Sequence, residues 1–326
     1  MKKSIILLTI SMLILFSFSI YASSEYNLKF GHVGTTGTSF HATATRLAEL
    51  VNEYTDGNVE LSVYPNGELG SELDMFEQVR NGSIDFCIAA PGQVVEYSQK
   101  ISFLSFPYLF DNREHWERVL TSDVGEKMKE ISLEETDVRI VGYIGGGVRN
   151  VVSRKPIRKL EDFENFLMRV HPTDIALETW RTIGVKPTTV AWSEIYNALQ
   201  LGVIDGLENE AFWIQSAKFY EQAPYIVETK NKITVRPVFM SDKTYNKLPE
   251  EYREAIIKAA VEACEYGREV GIKNDEEAQK TLAEKYDVEF IEIDRAKLLD
   301  KISGIRKKHA EKLGLTDIYE RVLELR

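Results

Sequence analysis

The chain has 326 residues, with 40 Lys and Arg against 51 Asp and Glu, a formal net charge of −11 at pH 7. That balance argues against nucleic acid and anionic membrane as partners, so an anion site here must be made by individually placed arginines. The length is enough for two lobes with a core each.

Lys2 and Lys3 precede an apolar run from Ile5 to Ile20, broken only by Thr9, Ser11, Ser17 and Ser19. Small residues suited to cleavage follow at Tyr21-Ala22-Ser23-Ser24. This order reads as a secretory signal over residues 1–23, cut near Ala22 to Ser24. The run is short for a membrane anchor and lacks a positive flank behind it. Cleavage removes two lysines and no acid, taking the formal charge from −11 to −13. The first Cys is Cys87, so no lipid anchor is expected. A freely diffusing exported protein needs an outer membrane to retain it, which makes the periplasm the expected compartment.

Leu28, Phe30 and His32 alternate with Lys29 and Gly31 and predict a strand. A Gly/Thr/Ser loop from Gly34 to Ser39 leads into a helical face of Ala44, Leu47, Ala48 and Val51. Val59, Leu61 and Val63 predict a second strand, broken at Pro65-Asn66-Gly67. Leu73 to Arg80 reads as a helix stopped by Asn81-Gly82, and Ile84 to Ala89 as a buried strand. Strands alternating with helices predict an α/β sheet with parallel neighbours.

A weak internal repeat relates Val79-Arg80-Asn81-Gly82-Ser83-Ile84-Asp85 to Leu199-Gln200-Leu201-Gly202-Val203-Ile204-Asp205. In both, Gly ends a helix and Ile-Asp opens the next strand. The matching order of elements around each predicts two related lobes. Open α/β sheets bind ligands beyond the carboxyl ends of their strands. This places Glu72, Gln93, Trp192 and Asn209 on loops beside one cleft between the lobes.

From Pro249 a helical pattern runs to about Tyr286, with Gly267 and Gly271 its only weak points. No heptad repeat is sustained, so one long helix spanning both lobes is expected rather than a coiled coil. Val288 to Ile293 reads as a strand and Arg295 to Leu313 as a final helix. Cys87 and Cys264 read as two separately buried thiols, and they lack metal-site spacing.

Arg169 follows Phe166-Leu167-Met168 in an apolar strand, where an unpaired charge is expensive. Its planar fork fits a carboxylate bidentately, either a ligand's or a protein acid's. Arg149 follows Gly145-Gly146-Gly147, where the backbone can approach a ligand closely. Five His are present, none in a His-Glu-x-x-His pattern, and no Gly-x-Ser-x-Gly elbow occurs. These observations point away from an enzyme and from a metal site.

The chain resembles the periplasmic receptors of tripartite ATP-independent periplasmic (TRAP) transporters, the DctP-like family. The resemblance rests on Leu28-Lys29-Phe30-Gly31-His32, Val63-Tyr64-Pro65-Asn66-Gly67-Glu68-Leu69-Gly70, Phe106-Pro107-Tyr108-Leu109-Phe110, Met168-Arg169-Val170, Ser193-Glu194-Ile195-Tyr196-Asn197-Ala198-Leu199-Gln200, Asp205-Gly206-Leu207-Glu208-Asn209 and Lys247-Leu248-Pro249-Glu250. It implies an α/β, two-lobed clamshell, each lobe a mixed sheet flanked by helices, with a long helix spanning both. On that pattern the first lobe takes residues 24–145 plus 235–273, and the second 146–234 plus 274–326. The implied function is capture of a small carboxylate and delivery to membrane permease subunits, by a monomer without a cofactor. The resemblance implies that Arg169 holds the ligand carboxylate, with Arg149, Asn209, Trp192 and Glu72 as further contacts. His32, Gln93, Glu208 and Phe212, with Trp213 beside it, complete the candidate set. The sialic-acid members carry a Glu and an Arg where Ala90 and Gln93 stand here. The expected ligand is therefore a monocarboxylate sugar acid such as a hexuronate, with a C4-dicarboxylate as the alternative.

Overall fold

The computed structural model describes residues 24–326; the signal segment read at 1–23 lies outside the described residues. The first half of the chain forms β1 (Tyr26–Gly31), α1 (Ser39–Tyr54), β2 (Val59–Tyr64), α2 (Glu72–Asn81), β3 (Phe86–Ile88), α3 (Arg113–Leu120), α4 (Asp123–Thr136) and β4 (Val138–Ser153). The middle forms β5 (Leu167–Arg169), α5 (Asp174–Ile183), β6 (Lys186–Thr188), α6 (Ile195–Gln200), β7 (Gly206–Asn209), α7 (Ala211–Ser216) and β8 (Tyr225–Ser241). The remainder forms α8 (Asp242–Lys247), α9 (Glu250–Lys285), β9 (Glu289–Ile291), α10 (Arg295–Lys301), α11 (Ile305–Lys312) and α12 (Thr316–Glu324).

The strands form one sheet in the order β2-β1-β3-β8-β4-β7-β5-β6, with β9 added to β8. In the first lobe β1 lies between β2 and β3, parallel to both. In the second, β5 lies between β6 and β7, again parallel to both. The sequence repeat marks this equivalence. Gly82 and Gly202 sit at φ 82° and 72°, the left-handed region where glycine has no Cβ penalty. Asp85 then accepts from Lys29 N on β1 (2.7 Å), and Asp205 accepts from Leu167 N on β5 (3.1 Å). Each repeat aspartate thus ties its strand to the central one.

The two lobes are joined by β4 and β8, which pair antiparallel along their length. The ends of this ribbon serve different lobes: Val238–Met240 of β8 pair with β3, and Asn150–Ser153 of β4 pair with β7. The lobe boundaries expected at residues 145–146 and 234–235 therefore fall inside long strands rather than in loops. The glycines are absorbed by a bulge, since the register shifts between Gly145 and Val148 and both Gly145 and Gly146 have positive φ.

The long helix expected from Pro249 is α9, 36 residues. Its N-terminal half puts Ile256, Ala260, Ala263 and Cys264 into the core of the first lobe with Phe30, Leu47 and Val141. Its C-terminal half puts Ala278 and Leu282 into the second with Leu199, Leu207 and Phe219. Gly267 is not a weakness in place: a Cβ there would collide with the Thr43 hydroxyl of α1, so glycine is what lets the helices meet. Cys87 and Cys264 are separately buried thiols, and burial pushes Cys264 up to about 12.

The C-terminal region departs from the sequence expectation. Instead of one helix from Arg295 to Leu313, α10 and α11 are separated at Gly304, φ 80°. The segment also does not stay with the second lobe. Lys301 Nζ donates to Ile183 O at 3.0 Å, and Lys308 pairs with Glu178 at 2.8 Å, both on α5. On the other side, α12 lies against α3 and α4. There His115 Nε2 donates to Val322 O at 2.9 Å and Arg321 pairs with Asp123 at 3.1 Å. The tail is a strap across both lobes. Among the described residues no helix is long and apolar enough to cross a membrane.

Candidate functional site

The carboxyl ends of β1, β2 and β3 face those of β5, β6 and β7 across a cavity of ≈ 800 Å³. Most of the wall is strand ends and the loops after them, as expected for parallel α/β sheets, with Arg149 and Arg236 added from within β4 and β8. Arg169, Arg149, Asn209, Trp192, Glu72 and Gln93 all line this cavity.

Arg169 ends β5 and is 5% exposed. Its Nε donates to Val190 O at 3.1 Å, and no carboxylate pairs with it among the described residues. Burial first, then the positive charge of Arg149, pull it down to about 10, so it stays charged at neutral pH. A buried guanidinium fixed at one nitrogen and facing a cavity is organised for a carboxylate.

Arg149 is equally buried, but acids already hold it. Its Nε pairs with a Glu208 carboxylate oxygen, Nη2 donates to Glu208 O, and Nη1 lies 3.4 Å from Glu210 Oε2. Glu208 also accepts from Asn231 Nδ2 at 3.2 Å and lies 3.8 Å from Lys232 Nζ. Burial alone would raise the Glu208 carboxyl, but Arg149 and Lys232 outweigh it and hold it below the usual value. Burial pulls Lys232 down to about 8 against the opposing pull of Glu208. Glu208 is therefore the internal partner of two cations, not part of the cavity wall.

Glu72 opens α2 behind the Ser71 cap, and its Oε2 accepts from Ala90 N at 2.9 Å. Gln93 Nε2 donates to His171 Nδ1 at 3.4 Å. Asn209 Oδ1 accepts from Glu210 N at 3.1 Å, which leaves its amide donors for the cavity. Trp192 is 40% exposed, edge-on to Trp213 and Phe219, with ring centroids 5.7 and 5.3 Å apart.

Three candidates lie elsewhere. His32 is fully buried between Phe30 and Phe40 and 3.3 Å from His41 Nδ1; burial and then His41 lower it to about 4. The chain turns inward after β1, so the strand end that suggested a cleft position is covered by α1. Phe212 lines a small separate cavity of ≈ 20 Å³ behind the main one, while its neighbour Trp213 reaches both. Glu208 is the ion-pair partner described above.

Two titratable cavity residues were not singled out from the sequence. His171 follows β5; burial and then Arg169 hold it well below the ordinary histidine value, so it is neutral at pH 7. Arg236 lies on β8, and the signal was present: it interrupts the apolar run Ile233-Thr234-Val235, much as Arg169 ends one.

The fold and site define a class: a two-lobed receptor whose cleft presents cations from its strands. Residues 30–312 match the family described as bacterial extracellular solute-binding protein, family 7, the DctP family, and the chain belongs to it. A solute-binding protein of Sulfitobacter sp. (strain NAS-14.1) is 36% identical over 307 residues, 94% of this chain and 93% of that one. A TRAP periplasmic solute-binding protein structure from Sulfitobacter sp. NAS-14.1, with bound α-D-taluronate, has a TM-score of 0.87 at 35% identity, covering 91% of this chain and 97% of that one. Another from Roseobacter denitrificans, with bound L-galactonate, has a TM-score of 0.83 at 28% identity, covering 93% and 100%. The protein is thus a solute-binding subunit of the TRAP type.

Proposed function

We propose that this receptor captures a monocarboxylate sugar acid of hexuronate or hexonate size in the periplasm and hands it, unchanged, to TRAP permease subunits. The observation that carries the reading is Arg169, a buried cation that faces the cavity without a protein acid. Asn209, neutral His171, Gln93 and Glu72 surround it with a mixture of donors and acceptors suited to hydroxyls. Trp192 offers an apolar face for a ring. A compact dicarboxylate would meet the Glu72 carboxylate, and Ala90 and Gln93 bring no charge for a sialic acid. The uronate and aldonate bound by the two structural relatives support the same class.

The receptor works as a monomer that closes about the β4–β8 ribbon. The first lobe takes residues 24–145 plus 235–273, and the second 146–234 plus the C-terminal half of α9 and β9. The tail from Arg295 bridges the two.

A thermal-shift panel tests the ligand class. Uronates and aldonates should raise the melting point most, because ligand at a hundred times its Kd stabilises by about 2.7 kcal/mol. Strong stabilisation by succinate or malate, with none by glucuronate or galacturonate, would replace this reading with the dicarboxylate one.

A further inference from the structure

Three arginines line the cleft, Arg149, Arg169 and Arg236, and a fourth cation, Lys232, lies beside Glu208. Arg149 and Lys232 share Glu208. Arg169 and Arg236 have no acid among the described residues. Arg236 lines both the main cavity and the small one behind it. Its Nε is buried without a hydrogen-bond partner, and its guanidinium lies 6.0 Å from the centre of the Phe40 ring. A cation in that position is costly unless something that enters the cavity pairs with it.

The two unpaired arginines approach from opposite lobes. Arg169 is in register with Leu207, which faces Val152 of β4. Arg236 faces Ile144, on the other side of the Gly145-Gly146 bulge. Ile144 and Val152 lie on either side of that bulge, so the two arginines enter the cavity from different places along the ribbon. Both line one cavity of ≈ 800 Å³, which leaves room between them for a chain of several carbons. The two charges still feel each other, since Arg236 contributes to lowering both Arg169 and His171.

We infer that Arg236 is a ligand-contacting, specificity-determining residue: it binds the oxygen-rich far end of a six-carbon acid whose carboxylate is held by Arg169. The inference rests on the sugar-acid reading above and deepens it. The far group is a hydroxyl, ring or carbonyl oxygen rather than a second carboxylate. Glu210 and Asp275 line the small cavity that Arg236 borders, and Glu72 lines the main one, so a second anion would face three acids. A ligand spanning both arginines also joins the lobes, so its binding favours the closed form over the open one.

The test is calorimetric titration of the full mature chain, its Arg236→Leu variant and its Arg169→Ala variant. The probes are D-glucuronate, D-gluconate, the dianion D-glucarate, and the three-carbon acid D-glycerate, the last followed by ligand-observed NMR at high concentration. Arg236→Leu should weaken glucuronate or gluconate about 10- to 100-fold, the loss expected for a hydrogen bond to a charged group. It should leave glycerate, which reaches only Arg169, within a factor of about 3. Arg169→Ala should weaken all of them. Ligand-free Arg236→Leu should unfold in urea at or above the parent midpoint, because it loses an unpaired cation.

Equal losses for short and long acids would place Arg236 at the carboxylate and overturn the inference. No loss for any acid would remove it from the site, and a lowered ligand-free midpoint would make it a structural residue. A parent that prefers glucarate to glucuronate, with the order reversed in Arg236→Leu, would assign the far end to a second carboxylate instead. A parent that binds none of the sugar acids rejects the ligand class itself, and this inference with it. That result is distinguishable because it appears before any substitution is made.

Discussion

Arg149 and Arg169 are the same residue type, 2% and 5% exposed, and both line the cleft. They differ in what faces the guanidinium. Arg149 is held by Glu208 and Glu210 from the next strand, in a network that also takes Lys232, Asn231 and Thr234. Arg169 has one carbonyl and open space. The difference teaches that burial of a charge does not by itself mark a binding residue. A cation with internal acids is part of the frame, whereas one without them is completed by ligand.

The largest effect should fall on the frame. Glu208→Ala leaves Arg149 and Lys232 buried, with Glu210, 3.4 Å from Arg149, as the remaining acid partner among the described residues. Breaking a buried pair from one side costs about 3–5 kcal/mol. Urea unfolding of the ligand-free protein reads this directly, and a loss under about 1 kcal/mol would erase the distinction between the two regions.

Arg169→Ala should do the reverse. Ligand-free stability should hold, because no protein acid is left unpaired. Affinity for the cognate acid should fall by about 2–5 kcal/mol, two orders of magnitude or more in Kd. Near-parental affinity by calorimetry would strip Arg169 of its role as the anchor.

A smaller effect sharpens the comparison from the acid side. Asp275 on α9 is a buried carboxylate whose partners are Phe212 N at 3.1 Å and Gln279 Nε2 at 3.2 Å, rather than a cation. Burial first, then Glu210, raise it from 3.8 to about 6, with Arg113 opposing. Between those values the folded chain keeps a proton that the unfolded chain has released, so this group lowers stability as pH rises from about 4 to about 6. Above that the cost is constant. Asp275→Asn should therefore raise stability at pH 7 by on the order of 2 kcal/mol, with the gain vanishing toward pH 4. A pH-independent difference between variant and parent would show that Asp275 is ionised throughout.

Much of the frame was legible along the chain because it is local. Alternation at Leu28 and Phe30, the helical stretch from Leu73 to Arg80, and glycines at Gly82 and Gly202 are settled by neighbours a few residues away. The repeat was readable because Asp85 and Asp205 do the same work in each lobe. Arg169 was readable because a charge in an apolar strand is anomalous wherever it occurs. Arg236 carries the same anomaly, but it stands beside the expected lobe boundary at residues 234–235, where a charge is not out of place.

The sequence by itself determined the strand–helix alternation, the two related halves, the single long helix and the cation at the end of β5. These follow from hydrophobic period, from turn chemistry and from the cost of burying charge. Tertiary structure alone decided which arginine is paired, since Glu208 reaches Arg149 across 59 residues of chain. It also decided that His32 is covered by α1, that the glycines after Ile144 form a bulge in a continuous ribbon, and that the C-terminal helices strap both lobes. Each of these depends on which side chains distant elements bring into contact, and sequence period carries no record of that.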